Sequence, residues 1–217
     1  MKNSSPVILA LDFNDMASTV EMIELTREHV GVYKLGLEFY LTHGKSGVKE
    51  IQNRFTDIEI FLDLKLHDIP NTVAGACKSV ADLNPKFLTV HASGGSKMIS
   101  AASSTLPKVE ITAVTILTSL DKEQMVAMGL NENIENLTLS LANNAVNSGA
   151  RAIVSSPQEV SLLRKHLGEK VTLITPGVRP SGAERDDQFN QGTHRYLQIR
   201  SRVLSCSWQK RCKRNSK

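Results

Sequence analysis

Short apolar runs alternate with longer amphipathic stretches along most of this 217-residue chain. Residues 7–11 predict a strand, and residues 15–29 a helix carrying Val20 and Ile23 at helical spacing. Residues 32–36 and 58–64 read as the next two strands, separated by a helix through Val48 and Ile51. A helix over 71–83 leads to a strand at 87–91, and Ser93, Gly94 and Gly95 open the helix after it. The fifth strand of the pattern spans 109–117, followed by a short helical piece near 123–128 and a longer one over 134–147. A sixth strand covers 151–154. Ser156 and Pro157 then supply an N-cap and first turn for a helix reaching 166. Residues 171–175 form the seventh strand, which runs into Pro176 and Gly177.

Seven strand–helix alternations at this spacing predict a parallel sheet with crossover helices. The strands are near-continuous apolar runs, as expected when both faces of a sheet are covered. An open doubly wound sheet and a closed barrel both fit that pattern. The open, dinucleotide-binding version needs a glycine-rich turn after its first strand, where Asp12, Phe13, Asn14 and Asp15 stand instead. Polar residues at the C-terminal ends of successive strands (Asp12, Lys34, Asp63, His91 and Thr118) suit a barrel mouth. The expected fold is therefore α/β, a (β/α)8 TIM barrel. Its eighth strand and helix are not recognisable, so the barrel is expected to be incomplete.

The densest chemistry lies in Asp63-x-Lys65-x-x-Asp68, followed by Ile69, Pro70, Asn71 and Thr72. Residues two apart in a strand share a face, so Asp63 and Lys65 point together and Leu62 and Leu64 point away. A surface ion pair is the plain alternative. Lys34 and Asp12, however, stand at the equivalent ends of the two preceding strands, and neighbouring strands lie about 4.8 Å apart. Asp12, Lys34, Asp63 and Lys65 can thus form one network whose opposite charges keep each other ionised. A lysine held this way is a positioned proton donor for a carbanion developing beside it.

These residues, together with Ala10-Leu11-Asp12, Lys34-x-Gly36, Leu117-Thr118-Ser119 and the stretch from Thr175 through Arg179 to Pro180, resemble the orotidine 5′-phosphate decarboxylase family. The resemblance runs from about Val7 to Gln188 in order. It implies a cofactor-free, metal-free enzyme that converts orotidine 5′-monophosphate to UMP and CO2. By position, Lys65 would protonate pyrimidine C6, Asp63 and Asp68 would flank the substrate carboxylate, and Lys34 would complete the array and touch the ribose. Asp12 would hold the ribose, Thr118 the pyrimidine edge, and Arg179 and Gln188 the phosphate. The resemblance also implies a homodimer with a shared active site, in which Asp68 and Thr72 serve the partner's substrate.

Charge changes the picture at one place. The chain carries 26 Lys and Arg against 22 Asp and Glu, but residues 188–217 hold eight of those bases and no acid. The preceding residues are net −4. Residues 1–188 are expected to be the decarboxylase barrel and 189–217 a basic tail unlike the family, as a change of reading frame near codon 189 would produce. The family's last strand ends in a Gly-Arg pair of the phosphate site; roughly twenty residues beyond Gln188, Trp208 and Gln209 stand there instead. Much reduced or no activity is the expected consequence.

Other signals are weaker. Aromatics at 5% are too sparse for a single-strand nucleic-acid platform. Cys77 alone among residues 1–188 makes neither a disulfide framework nor a metal cluster. The short apolar start is too short for a signal peptide or a membrane span, so a cytoplasmic protein without membrane or nucleic-acid partners is expected. The competing readings are a Mg²⁺-dependent sugar-phosphate decarboxylase or aldolase that ligates its metal through Asp63 and neighbouring acids, and an inactive barrel whose basic tail binds nucleic acid.

Overall fold

Along each strand, successive side chains point to opposite faces, and in this chain both faces are apolar over most of their length. A computed structural model describes residues 5–117, 120, 122–130, 133–176 and 203–207. Its strands are β1 (Val7–Ala10), β2 (Val32–Gly36), β3 (Glu59–Leu66), β4 (Phe87–His91), β5 (Glu110–Val114), β6 (Ala152–Val154), β7 (Thr172–Pro176) and β8 (Val203–Ser207). All pair in parallel, in sequence order, and close into a barrel. The helices between them are α1 (Met16–Thr26), α2 (Leu37–Arg54), α3 (Pro70–Val80), α4 (Gly95–Thr105), α5 (Lys122–Ala127), α6 (Ile134–Asn147) and α7 (Val160–Leu167).

The alternation divides the core in two. Leu9, Tyr33, Leu35, Ile60, Leu62, Leu88, Val90, Ile153 and Leu173 pack outward against helix residues such as Ile23, Phe39, Ile51, Val73, Met98 and Leu163. Ile8, Ala10, Val32, Phe61, Phe87, Ala152 and Ile174 have the opposite parity and form a separate cluster filling the barrel. Phe61 and Phe87 meet there edge to face, with centroids 5.5 Å apart.

Local signals account for the helix starts. Asp15 caps α1 by accepting a hydrogen bond from the Ser18 amide at 2.7 Å. Pro70 occupies the first turn of α3, and Ser156 and Glu159 form a reciprocal capping box ahead of α7. α2 is broken at Gly44, whose φ of 60° and ψ of −162° are not helical. The Asn136-x-Thr138 sequence lies within α6, with Thr138 buried and bonded to Glu159 at 2.9 Å. Cys77 is a fully buried small side chain, and burial pushes its thiol up to about 11.

Two expectations are corrected. The fifth strand ends at Val114 rather than 117: the Thr115 amide makes the last ladder bond, to the Val154 carbonyl, which the Thr115 hydroxyl also reaches. The expected incomplete barrel is closed: β8 exists and pairs with both β7 and β1, so no open sheet edge remains between them. Its sequence, Val203, Leu204, Ser205, Cys206, Ser207, is short and partly polar, so it carries little strand signal alone. The open ladders of β1 and β7 supply what its own composition does not. The closing helix expected after it lies outside the described residues.

Ser205 pairs with Val7 on one side and Thr175 on the other. Proline there removes a ladder donor in the middle of a closed sheet. Ser205→Pro is expected to lower the melting temperature by about 5 °C or more, read by circular dichroism. An unchanged melting temperature would mean that this segment does not close the sheet.

Candidate active site

Above the apolar layer the inward positions turn polar. Lys34 follows Val32, Asp63 follows Phe61 and Thr89 follows Phe87, each two residues further along its strand. The Lys65 ammonium donates to Asp63 Oδ2 at 2.8 Å, and Lys34 Nζ lies 3.5 Å from the same oxygen. Lys34 also donates to Asp12 Oδ1 at 3.2 Å, just beyond the end of β1. The other Asp63 oxygen, Oδ1, accepts from the Thr89 hydroxyl at 2.9 Å. Three strands thus meet on one carboxylate, and Asp12 joins the array through Lys34.

Lys65 reaches this position through an irregular backbone. The pairing of β3 with β4 runs from Leu62 opposite Leu88 to Leu66 opposite Val90, so β3 spends two extra residues there. Lys65 takes φ of 47°, in the left-handed region. A non-glycine residue held there costs on the order of 1–3 kcal/mol. Its amide donates to the Thr89 hydroxyl at 2.8 Å.

Asp63 is 8% exposed. Burial alone would raise its carboxyl; the charges of Lys34 and Lys65, with hydrogen bonds from Lys65 and Thr89, outweigh burial and hold it below its ordinary value. Beside this array the rings of His67 and His91 lie tilted at 38° to each other, with centroids 5.2 Å apart. Burial lowers the His91 imidazole, and His67 and Lys65 lower it further against the opposing pull of Asp63. At neutral pH the site therefore holds an ionised, enclosed aspartate beside a neutral His91.

Of the residues picked from sequence, Asp12, Lys34, Asp63 and Lys65 come together as expected. Asp68 lies on the exposed loop after β3, where its own Oδ1 accepts from the Ile69 amide at 2.6 Å. Thr72 is exposed in the first turn of α3. Thr118, Arg179 and Gln188 lie outside the described residues. Thr89 was not picked. Its signal is its parity: it is a hydroxyl at an inward position of a strand whose other inward neighbour is Phe87. A groove of about 740 Å³ opens at the opposite, N-terminal end, lined by Glu59, Lys86, Lys108 and Glu110 among others. Glu59 is paired with Lys86, and Glu110 accepts from Thr172. It is remote from the array, and barrel chemistry sits at the C-terminal end.

A carboxyl lowered by folding contributes stability above its unfolded value near 4, and that contribution is lost as pH falls through the lower folded value. Asp63→Asn is expected to cost about 2 kcal/mol at pH 7, since it leaves enclosed ammonium groups without their shared anion. The gap from the parent should narrow below about pH 4 as the parent carboxylate protonates. Denaturant unfolding of both proteins between pH 3 and pH 7, values spanning about that range, checks the sign; a gap that widens toward acid refutes it.

The model of the orotidine 5′-phosphate decarboxylase / HUMPS family matches residues 5–205, β8 included up to Ser205. The chain is 46% identical over 190 residues to orotidine 5′-phosphate decarboxylase of Thermobifida fusca, covering 88% of this chain and 81% of that protein. It is 41% identical over 208 residues to the Frankia casuarinae enzyme of the same name, covering 88% and 76%. Among solved structures, orotidine 5′-phosphate decarboxylase from Lactobacillus acidophilus superposes with a TM-score of 0.77 at 30% identity, over 94% of this chain and 90% of that one. A closed barrel carrying lysines and aspartates at its mouth, and matched over this span, belongs to the orotidine 5′-phosphate decarboxylase / HUMPS family.

Proposed function

We propose that this chain decarboxylates orotidine 5′-monophosphate to UMP and CO2, in the synthesis of pyrimidine nucleotides. The observation that carries this reading is the enclosed Asp63 carboxylate with Lys65 and Lys34 on one oxygen. The C6–carboxylate bond breaks with its electron pair left on C6, and CO2 departs. The Lys65 ammonium then donates a proton to C6, giving UMP, and regains one from solvent. Negative charge develops next to fixed positive charge, and preorganised electrostatics of this kind is usually the largest catalytic contribution. Asp63, held ionised, would crowd the substrate carboxylate before reaction and be relieved as CO2 leaves.

The remaining roles follow from the family. Asp12 and Lys34 would bind the ribose, Thr118 the pyrimidine edge, and Arg179 and Gln188 the phosphate, whose binding energy helps orient C6. A phosphate site after β7 is common in such barrels. Exposure of Asp68, Ile69 and Thr72 supports a homodimer in which Asp68 and Thr72 reach the partner's substrate. No cofactor is needed for this chemistry. Asp63 engages both oxygens with Lys34, Lys65 and Thr89, which suits a charge array better than a magnesium ligand set. Among the described residues, no helix is long and apolar enough to cross a membrane; a cytoplasmic location belongs to the same reading.

The purified chain is expected to release UMP and CO2 from orotidine 5′-monophosphate with EDTA present, and Lys65→Ala to lose about a thousandfold in kcat. EDTA-sensitive turnover, or turnover surviving Lys65→Ala, would overturn the assignment. Because Trp208 and Gln209 replace the family's Gly-Arg pair, turnover should also rise when a family-like C-terminus is supplied. Equal turnover in the two proteins would show that the pair is dispensable here.

A further inference from the structure

Thr89 sits in the middle of β4 with no exposed surface, one position below the mouth of the barrel. Its hydroxyl makes two bonds at once: it accepts from the Lys65 amide at 2.8 Å and donates to Asp63 Oδ1 at 2.9 Å. Their directions are fixed by chemistry. An ionised carboxylate only accepts and an amide only donates, so the single hydroxyl proton must point to Asp63 and a lone pair to Lys65. Both groups are needy. The extra residues in β3 take the Lys65 amide out of regular register with β4, and a buried amide without an acceptor is costly. The charges of Lys34 and Lys65 do most to keep the enclosed Asp63 ionised, but both engage Oδ2, and Thr89 supplies the hydrogen bond on Oδ1.

We propose that Thr89 is a positioning residue for the reaction, its hydroxyl locking the β3 bulge so that the ammonium of Lys65 and the carboxylate of Asp63 are held in fixed relation. Thr89 does not touch the substrate; it acts through the backbone of one catalytic residue and the side chain of the other. Lys65, with φ of 47°, has a backbone conformation that needs an external restraint, and the hydroxyl is the restraint contributed by the neighbouring strand. Holding both groups to a fraction of an ångström matters because small misplacements of reacting groups cost large factors in rate.

This inference rests on the decarboxylase reading for its kinetic part only. Thr89→Val keeps the shape and deletes the hydroxyl, whereas Thr89→Ser keeps the hydroxyl and deletes the methyl. Thr89→Val is expected to lower kcat by about 10- to 100-fold, with KM for orotidine 5′-monophosphate changed less than about threefold. Thr89→Ser should recover kcat to within about threefold of the parent. Hydrogen exchange by NMR reads the restraint without activity. The Lys65 amide should exchange at least about tenfold faster in Thr89→Val, and at nearly the parent rate in Thr89→Ser. An unchanged kcat or an unchanged Lys65 exchange rate in Thr89→Val would overturn the proposal. So would Thr89→Ser as defective as Thr89→Val, which would assign the effect to methyl packing. Should Thr89→Val fail to fold, Thr89→Ser decides between hydroxyl and methyl alone. A parent chain that stays inactive even with a family-like C-terminus would count against the decarboxylase reading, and the exchange comparison would still decide the role of Thr89.

Discussion

Everything at the mouth of this barrel is arranged around one enclosed carboxylate. An aspartate as buried as Asp63 would ordinarily protonate or unfold its surroundings, because desolvation disfavours the charged form. It stays ionised because β2, β3 and β4 each contribute a donor: Lys34, Lys65 and Thr89. Those contributions converge because inward-facing positions of three neighbouring strands adjoin at the mouth, with Lys34 two residues off register from Asp63 and the β3 irregularity carrying Lys65 back onto it. The layer beneath is apolar, with Phe61 and Phe87 edge to face directly below Asp63 and Thr89 in their strands. It keeps water from reaching the array from below, and a less polar surrounding strengthens every charge interaction above it. The outer core of Leu35, Leu62 and Leu88 holds the same strands against their helices. Packing and charge are therefore one construction.

Much of this was legible in the sequence because it rests on parity and run length. Seven strands announce themselves as apolar runs, and Asp63 and Lys65, two apart, were placed together on one face; the structure joins them at 2.8 Å. Asp12 and Lys34 followed from the same reasoning on adjacent strands. The route by which Lys65 arrives was not legible. A regular strand would have put the pair together without the left-handed backbone or the skipped pairing opposite β4, and nothing in the residue types signals a bulge there. Thr89 was missed for a related reason. A threonine in a strand is unremarkable, since β-branched residues favour strands anyway. Its importance lies in two partners that only the folded register reveals.

The eighth strand shows the opposite limit. Sequence reasoning looked for an apolar run and found Ser205, Cys206 and Ser207 in a basic segment. A closing strand, however, receives hydrogen-bonding partners on both sides, so its own residues need specify less than those of an isolated strand. The change in composition near residue 188 and the end of the sheet are thus different boundaries. The basic charge of the chain belongs to a segment that contributes the last strand of the barrel.

Closure has a consequence for chemistry as well as for stability. β7 leads into the segment holding Arg179 and Gln188, where the substrate phosphate is proposed to bind, while β1 ends just before Asp12, proposed to hold the ribose. β8 is the strand between them, and Ser205 pairs with both. Two strand spacings, about 10 Å, separate β7 from β1 in a closed sheet; in an open one that separation would be unconstrained. Phosphate binding can assist at C6 only if the distance between the two ends of the substrate's site is fixed, since binding energy spent on a yielding scaffold deforms the protein instead of orienting the substrate. On the proposed reading, the least recognisable strand in the sequence is therefore the one that would couple the phosphate end of the site to the Asp12–Lys34–Asp63–Lys65 array. Its contribution is made through backbone pairing, which explains how so unremarkable a run of residues can serve.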